Sequence, residues 1–348
     1  VTKARFAIPG ELNTPTGGYV YDRRVLALLP PGGVEIEHLR LPGGFPFPDA
    51  QELEETGRLL ASVAAHEVLL IDGLALGALP PALLEKIVAP IVAMHHHPLG
   101  LESGLGSDQS KTLLASEKAA TAYARRVIVT SPATAATLCE LGFAPPPPVT
   151  VAIPGVDRGR RSEGSQDGFE IISVGTIIPR KGYDVLVAAL AQLRNETWRA
   201  TIVGGLDRDP ACSDALRAQI AQAGLGDRIH FADVLGSEAI SALLSRADVF
   251  ALPSRYEGYG MAFAEAMAHG LPVIATTAPA IPGTVPPTAG LLVEPDNPDA
   301  FAEALRRLMH DRTLRRQLAE GALAHAETLP RWVDTAAIIA RVIREVGA

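Results

Sequence analysis

Pro253-Ser-Arg-Tyr-Glu257-Gly-Tyr-Gly260-Met-Ala-Phe-Ala-Glu265-Ala-Met-Ala-His-Gly270-Leu-Pro-Val-Ile-Ala275 is the stretch on which the fold class turns. Before it, Val249-Phe-Ala-Leu252 is a short apolar run suited to a buried strand. Glu257-Gly258-Tyr259-Gly260 makes a turn whose two glycines bare the backbone amides. From Met261, the apolar positions Met261, Phe263, Ala264 and Met267 read as a helix that Gly270 and Pro272 terminate. Val273-Ile-Ala275 then returns to a strand. Strand, glycine turn, helix, glycine stop and strand make one unit of a parallel α/β sheet.

The helix N-terminus at Met261 and Ala262 offers unpaired N–H groups and a partial positive charge, which suits a phosphate. Glu257 stands just before the helix and Glu265 within it. Carboxylates repel a diphosphate, so the two read as acceptors for sugar or ribose hydroxyls. An ordinary βαβ crossover with a chance pair of surface glutamates is the plainer alternative.

The same grammar runs through the chain. Arg5–Pro9 reads as a first strand, followed by a loop closed by Thr16-Gly17-Gly18 and a helix over Tyr19–Leu29. Strands are expected at Val68–Asp72, Ile87–Met94, Val127–Ser131 and Val149–Ile153, with a helix over Ser110–Arg125 and a stiff run Pro145–Pro148. Pro154–Gly168 is the best linker candidate. Beyond it come strands at Phe169–Val174, Ala200–Val203 and Arg228–Phe231, a helix over Asp184–Leu193, and an amphipathic helix over Trp332–Val346. The expected fold is α/β, with two Rossmann-like domains facing across a cleft: residues 1–158, residues 168–331, and a terminal helix over 332–348. Ligands of open α/β sheets sit at the carboxyl ends of strands.

Pro253-Ser-x-x-Glu257-Gly-x-Gly260, with Glu265 after seven intervening residues and the ending Ala268-His-Gly-x-Pro-Val273, resembles the family-4 retaining glycosyltransferases. Their fold is the two-Rossmann-domain GT-B fold, and their donors are nucleotide sugars. The resemblance implies that Glu265 accepts from the ribose hydroxyls, Glu257 holds the transferred sugar, and the amides of Gly258, Tyr259, Gly260, Met261 and Ala262 meet the diphosphate. It also implies metal-free chemistry, no cofactor beyond the nucleoside-diphosphate sugar, and a terminal helix that packs back on the first domain.

Gly175-Thr176-Ile-Ile-Pro-Arg180-Lys181-Gly182 lies between a strand and a helix, where two cations can neutralise a diphosphate leaving group. The family shows an arginine where Thr176 stands, while Lys181 matches its lysine, so Arg180 is the candidate replacement for the missing cation. A solvated Arg-Lys pair is the bland reading. Gly17 and Gly18 resemble the family's glycine loop beside the donor. Among His95, His96 and His97 the resemblance favours His96, with His95 next, as the histidine that contacts the transferred sugar. Three successive histidines on an extended chain point to alternate faces, which argues against a metal site there. Asp207-Arg-Asp209 reads as a solvated loop. Gly283 stands where the family has a glutamate, and base choice is expected to depend on backbone near Asp233 and Val234.

Bulk properties fit this picture. The chain has 348 residues, enough for two domains, and a net charge of −8. That charge does not segregate: 12 basic against 16 acidic residues in 1–158, and 19 against 23 in the rest. No clustered basic face for nucleic acid is expected, and polybasic membrane docking has no support, although a peripheral contact stays open. Cys139 and Cys212 suit two buried, reduced thiols in the cytoplasm. No signal-peptide layout is seen at Val1-Thr-Lys-Ala-Arg-Phe, and no apolar run is long enough to span a membrane. The acceptor is expected to be a small molecule, a glycan or a lipid-linked group. The competing functions are a non-catalytic nucleotide-sugar-binding protein and an NAD-dependent oxidoreductase. No Gly-x-Gly-x-x-Gly opens a helix here, which weakens the latter.

Overall fold

A computed structural model describes residues 1–143 and 148–348. The chain divides into two compact units: Val1–Gly155 with Pro330–Ala348, and Val156–Leu329. Each is built on a six-stranded parallel sheet.

In the first unit the strands are β1 (Thr2–Pro9), β2 (Val34–Leu41), β3 (Val68–Asp72), β4 (Ile91–His95), β5 (Arg126–Val129) and β6 (Val149–Val151), in the order β2-β1-β3-β4-β5-β6. β3 and β4 are buried at every residue, as strands covered on both faces must be. The order reverses between β1 and β3. The helix Trp332–Val346 belongs to this unit: Trp332 packs edge-on against Tyr21 at 5.7 Å, and the Thr335 hydroxyl donates to the Ile153 carbonyl at 2.7 Å.

The second unit holds β7 (Glu170–Val174), β8 (Arg199–Val203), β9 (Ile229–Phe231), β10 (Val249–Ala251), β11 (Val273–Thr276) and β12 (Gly290–Val293), ordered β12-β11-β10-β7-β8-β9. Counted within the unit this is 3-2-1-4-5-6 reversed, the doubly wound order, and the chain changes direction between β7 and β10. Ligand sites of such sheets form at that change, beyond the carboxyl ends of the two strands.

Several elements differ from the sequence reading. β4 begins at Ile91 because Pro90, which has no N–H to give a ladder, precedes it. The first helix starts at Gly17, with Thr16 in extended backbone as its N-cap, and the helix read over Ser110–Arg125 spans Ser107–Thr121. β2 was missed: Val34-Glu-Ile-Glu-His-Leu-Arg-Leu41 mixes charge into an edge strand and carries no apolar run. The proline run, except for Pro148, lies outside the described residues.

The expected linker is not a free tether. From Val156 it belongs to the second unit. Ser162 N–H donates to the His269 carbonyl at 2.7 Å and its hydroxyl to the Ala247 carbonyl at 2.6 Å. The His269 ring bonds through Nδ1 to the Arg160 carbonyl at 2.7 Å. His269 of the opening motif is therefore a strap holding this segment down.

Candidate active site

The loops after β7 and β10 interlock at the change of strand direction. Gly182 has a φ of 69°, and a Cβ there would lie 2.1 Å from the Pro253 carbonyl oxygen, so only glycine lets the two loops approach. Arg255 N–H donates to the Arg180 carbonyl at 2.8 Å. The Arg255 guanidinium also reaches both Asp184 oxygens, at 2.9 and 2.6 Å, and Asp296 at 2.7 Å. This brace fixes Arg180 and Lys181 under the motif glutamate.

Glu257 is buried. Its Oε1 accepts from Lys181 Nζ at 2.7 Å and from the Ser254 hydroxyl at 2.7 Å, while Oε2 lies 3.4 Å from Arg180 Nη1. Arg180 Nη1 also donates to the Tyr256 carbonyl at 3.1 Å. Burial alone pushes the Glu257 carboxyl up, but Lys181 and then Arg180 outweigh it, and its pKa is lowered. One buried carboxylate thus sits between two cations.

Gly260 has a φ of 91° and caps the helix Met261–Ala268. A Cβ on it would sit 2.5 Å from the Phe263 ring. The turn is also tied down by Thr284, whose hydroxyl donates to the Tyr259 carbonyl at 2.6 Å. The buried Tyr259 hydroxyl has no hydrogen-bond partner among the described residues, and burial raises its pKa to about 12. Beyond the cap, the first amides of the helix, from Met261 and Ala262, have no carbonyl a turn earlier to bond. Glu265 follows one turn into the helix, half-buried.

Gly175 and Thr176 leave β7 at the same edge, with the Gly175 carbonyl accepting from the Tyr183 hydroxyl at 2.7 Å. Val234 is two strands away, after β9, and is 47 % exposed beside Asp233, whose φ is 49°. Gly258, Gly260, Met261, Ala262, Arg180, Lys181 and Glu257 are therefore grouped on the β7 and β10 loops, and Val234 stands apart on the edge strand's loop.

In the first unit the histidines separate cleanly. His95 is fully buried, with Nδ1 3.1 Å from Glu117 and Nε2 3.1 Å from the Thr121 hydroxyl, a structural network. His97 pairs with Glu102 at 3.1 Å. His96 is the one at the strand-direction change: its Nε2 lies 3.2 Å from Asp22 Oδ1 and 3.1 Å from Asp72 Oδ2. Gly18 lies against this ring, where a Cβ would be 3.2 Å from His96 Cδ2. Gly17 opens the helix Gly17–Leu28.

Asp22 and Asp72 were not singled out by the sequence reading. They are 50 residues apart and join His96 only through the sheet order, although Asp72 ends β3 at the position where the strand-end rule would look. The two carboxylates and the ring nitrogen lie within 4.8 Å of one another, a spacing at which one cation is shared. Asp209 is a helix cap, accepting from Cys212 N–H at 3.0 Å, in line with the reading of Asp207–Asp209 as a loop. Cys139 and Cys212 are free thiols, but not the buried pair expected: Cys139 is exposed on a helix surface and Cys212 is half-buried.

Residues 157–325 match the family model described as "Glycosyl transferases group 1". The D-inositol 3-phosphate glycosyltransferase of Jonesia denitrificans is 34 % identical over 220 residues, 57 % of this chain and 52 % of that protein. Its counterpart from Corynebacterium glutamicum is 33 % identical over 198 residues, 55 % of this chain and 47 % of that protein. The chain spans about half the length of these curated relatives. Among solved structures, a sucrose-phosphate synthase from Thermosynechococcus elongatus superposes with a TM-score of 0.85 at 22 % identity, covering 99 % of each chain. Anabaena HepE in complex with UDP-glucose gives 0.80 at 21 % identity, covering 99 % of this chain and 100 % of that one. The chain has the GT-B fold, and its residues 157–325 are similar to the glycosyl transferases group 1 domain.

Proposed function

We propose that the protein is a retaining glycosyltransferase that moves a sugar from a nucleoside-diphosphate sugar to an acceptor hydroxyl without a metal ion. The observation that carries this reading is the cluster of Lys181, Arg180 and Glu257 beside the first amides of the helix Met261–Ala268. Two cations beside the N-terminus of a helix suit a departing diphosphate. Arg180 stands in for the arginine that Thr176 replaces. Glu257 keeps its charge through Lys181 and Arg180 and accepts from a sugar hydroxyl, while Glu265 accepts from the ribose. The donor β-phosphate assists removal of the acceptor proton, on the face the leaving group vacates.

UDP-glucose, held by HepE, is the first donor to try, and D-inositol 3-phosphate, named for the curated relatives, the first acceptor. A thermal-shift screen of UDP-, GDP-, ADP- and TDP-sugars should raise the melting temperature with one base class, because a ligand that binds only the folded state stabilises it. With that donor, Glu257→Ala should cut turnover by roughly 10²-fold or more. Transfer should persist in EDTA and yield a product of the donor's anomeric configuration by NMR. Near-normal turnover of the variant, or an inverted product, sinks the mechanism. Tight donor binding without either transfer or slow donor hydrolysis would favour the binding-protein alternative.

A further inference from the structure

The loop after β2 fixes an aromatic ring in solvent at the carboxyl edge of the first sheet. It runs Pro42-Gly-Gly-Phe45-Pro-Phe47-Pro48 and ends at Asp49, the cap of the helix Ala50–Ala61. Phe45 is buried with Leu41 and Leu60 in the core of this unit and anchors the loop. Phe47, two residues on, is 55 % exposed, and no other phenylalanine or tryptophan among the described residues is exposed. A lone apolar side chain at a surface is common. This one differs in how firmly it is held and in where it stands.

Hydrogen bonds leave the loop little freedom. Phe47 N–H donates to the Gly44 carbonyl at 2.9 Å. Glu52 accepts from Gly44 N–H at 2.8 Å and from Asp49 N–H at 3.0 Å, and Asp49 in turn accepts from Glu52 N–H at 2.8 Å. Pro46 and Pro48 fix their own φ and restrict the residue before each. At its start the loop lies against the one after β1. Gly10 N–H donates to the Leu41 carbonyl at 3.0 Å, and a Cβ on Gly10 would be 3.6 Å from Gly43 Cα. β1 borders the change of strand direction in this sheet, the edge where ligands of such sheets are held. A ring already fixed there loses little freedom on meeting a ligand.

We propose that Phe47 is an acceptor-stacking residue, whose ring face receives the C–H face of a neutral saccharide or cyclitol ring. The ligand's role as acceptor rests on the transferase reading, in which the phosphate-binding cations belong to the second unit. An aromatic face is apolar and electron-rich, and it complements the slightly positive C–H groups of a hydroxylated ring. The charges beside it select a neutral ligand. Glu11, Asp49 and Glu52 stand on the two loops and the first turn of the helix, with Glu54 and Glu55 just beyond. Arg40 pairs with Glu11, and Arg23 donates to the Leu12 and Thr14 carbonyls, so both guanidiniums are engaged. An acidic excess of this kind repels a phosphate and an anionic lipid surface alike.

The test is NMR on the whole protein with isotope-labelled phenylalanine rings, using Phe47→Ala to assign the Phe47 signal. Neutral ring probes, myo-inositol and methyl α-D-glucopyranoside at millimolar concentration, should move that signal. D-inositol 3-phosphate should bind less tightly than myo-inositol. With the better neutral acceptor, Phe47→Ala should raise acceptor KM roughly five- to tenfold with donor KM held, and Phe47→Trp should keep it near the parent value. The ring is exposed and the backbone bonds of the loop remain, so both variants should melt close to the parent. A Phe47 signal that no neutral probe moves, or an acceptor KM untouched by Phe47→Ala, overturns the proposal. Tighter binding of D-inositol 3-phosphate overturns the neutral class. Flotation with phosphatidylcholine vesicles that Phe47→Ala abolishes would assign the ring to a membrane instead, and a dimer that it abolishes would assign it to a second copy of the chain. A signal moved by neutral probes with no transfer to any of them overturns the transferase reading and leaves the stacking site standing.

Discussion

Each unit places a cluster of charged side chains where its strand order changes direction, and the two clusters are built in opposite ways. In the second unit two cations surround one carboxylate, Lys181 and Arg180 on Glu257. In the first, two carboxylates flank one imidazole, Asp22 and Asp72 on His96. The topology supplies the location in both, and the residue types decide what can bind. Cations beside a helix N-terminus suit a phosphate group; two buried carboxylates around one imidazole fix that ring and favour its charged form.

The largest effect should come from breaking the excess on the cationic side. Lys181→Ala removes the shorter of the two contacts to Glu257 and returns that cluster to one cation and one carboxylate. Transfer should fall by roughly 10²–10³-fold, the scale of losing one donor at a developing anion. Steady-state kinetics with the donor from the thermal-shift screen measures it, and a loss smaller than that of Arg180→Ala would reverse the assigned roles. The buried pairing also has a consequence for Glu257→Ala beyond turnover. That variant leaves two cations facing each other, so it should lose stability as well as turnover. Glu257→Gln is the cleaner probe of the charge.

The cationic cluster depends on two interlocked loops, and Gly182 is the point where they touch. Gly182→Ala combines a left-handed backbone with a Cβ 2.1 Å from the Pro253 carbonyl. It should cost roughly 2–4 kcal/mol, from strain together with overpacking. A calorimetric melt that moved by less than about 3 °C would show that the loops separate easily.

A third difference is in pH. His269 in the second unit has its pKa lowered, by burial first, so its contribution is complete above the ordinary histidine value and lost as pH falls below it. Glu257, also lowered, adds a loss at still lower pH as it protonates. The first unit runs the other way. His96 is raised to about 10, so its contribution is present below the ordinary value and lost as pH rises through 10. Asp22, raised to about 7, likewise favours the acid side. Acid should therefore loosen the second unit first and alkali the first. Hydrogen exchange at pH 5.5, 7.5 and 9.5, corrected for intrinsic rate, resolves the units. Parallel loss in both at either extreme would remove this contrast.

How far these clusters could be read in the sequence also differs. Glu257, Lys181 and Arg180 lie in strand–turn–helix units whose glycines and apolar runs are local signals, so both the elements and the residues were visible. Their joining was not, since it needs β7 beside β10, across 75 residues of chain. His96 was visible only by resemblance, and its partners not at all. Asp22 reads as one more polar residue on an amphipathic helix, and Asp72 as the end of a strand. His269 misled in the other direction: it sits in the most informative motif, yet its ring secures Arg160, and its backbone carbonyl Ser162, of the segment that composition marked as a linker.

The finest contrast concerns Thr176, where a cation was expected and is missing. If Arg180 already supplies that charge through its contacts to Glu257 and the Tyr256 carbonyl, an added arginine has little left to neutralise. Thr176→Arg in the parent should change donor KM and kcat by less than about twofold, whereas in an Arg180→Ala background it should recover several-fold of the lost turnover. This is a double-mutant cycle with a large coupling term, as expected of two groups serving one charge. Independent gains in both backgrounds would mean that Arg180 and position 176 meet different parts of the ligand. The cationic cluster would then hold two separate contacts rather than two groups serving one charge.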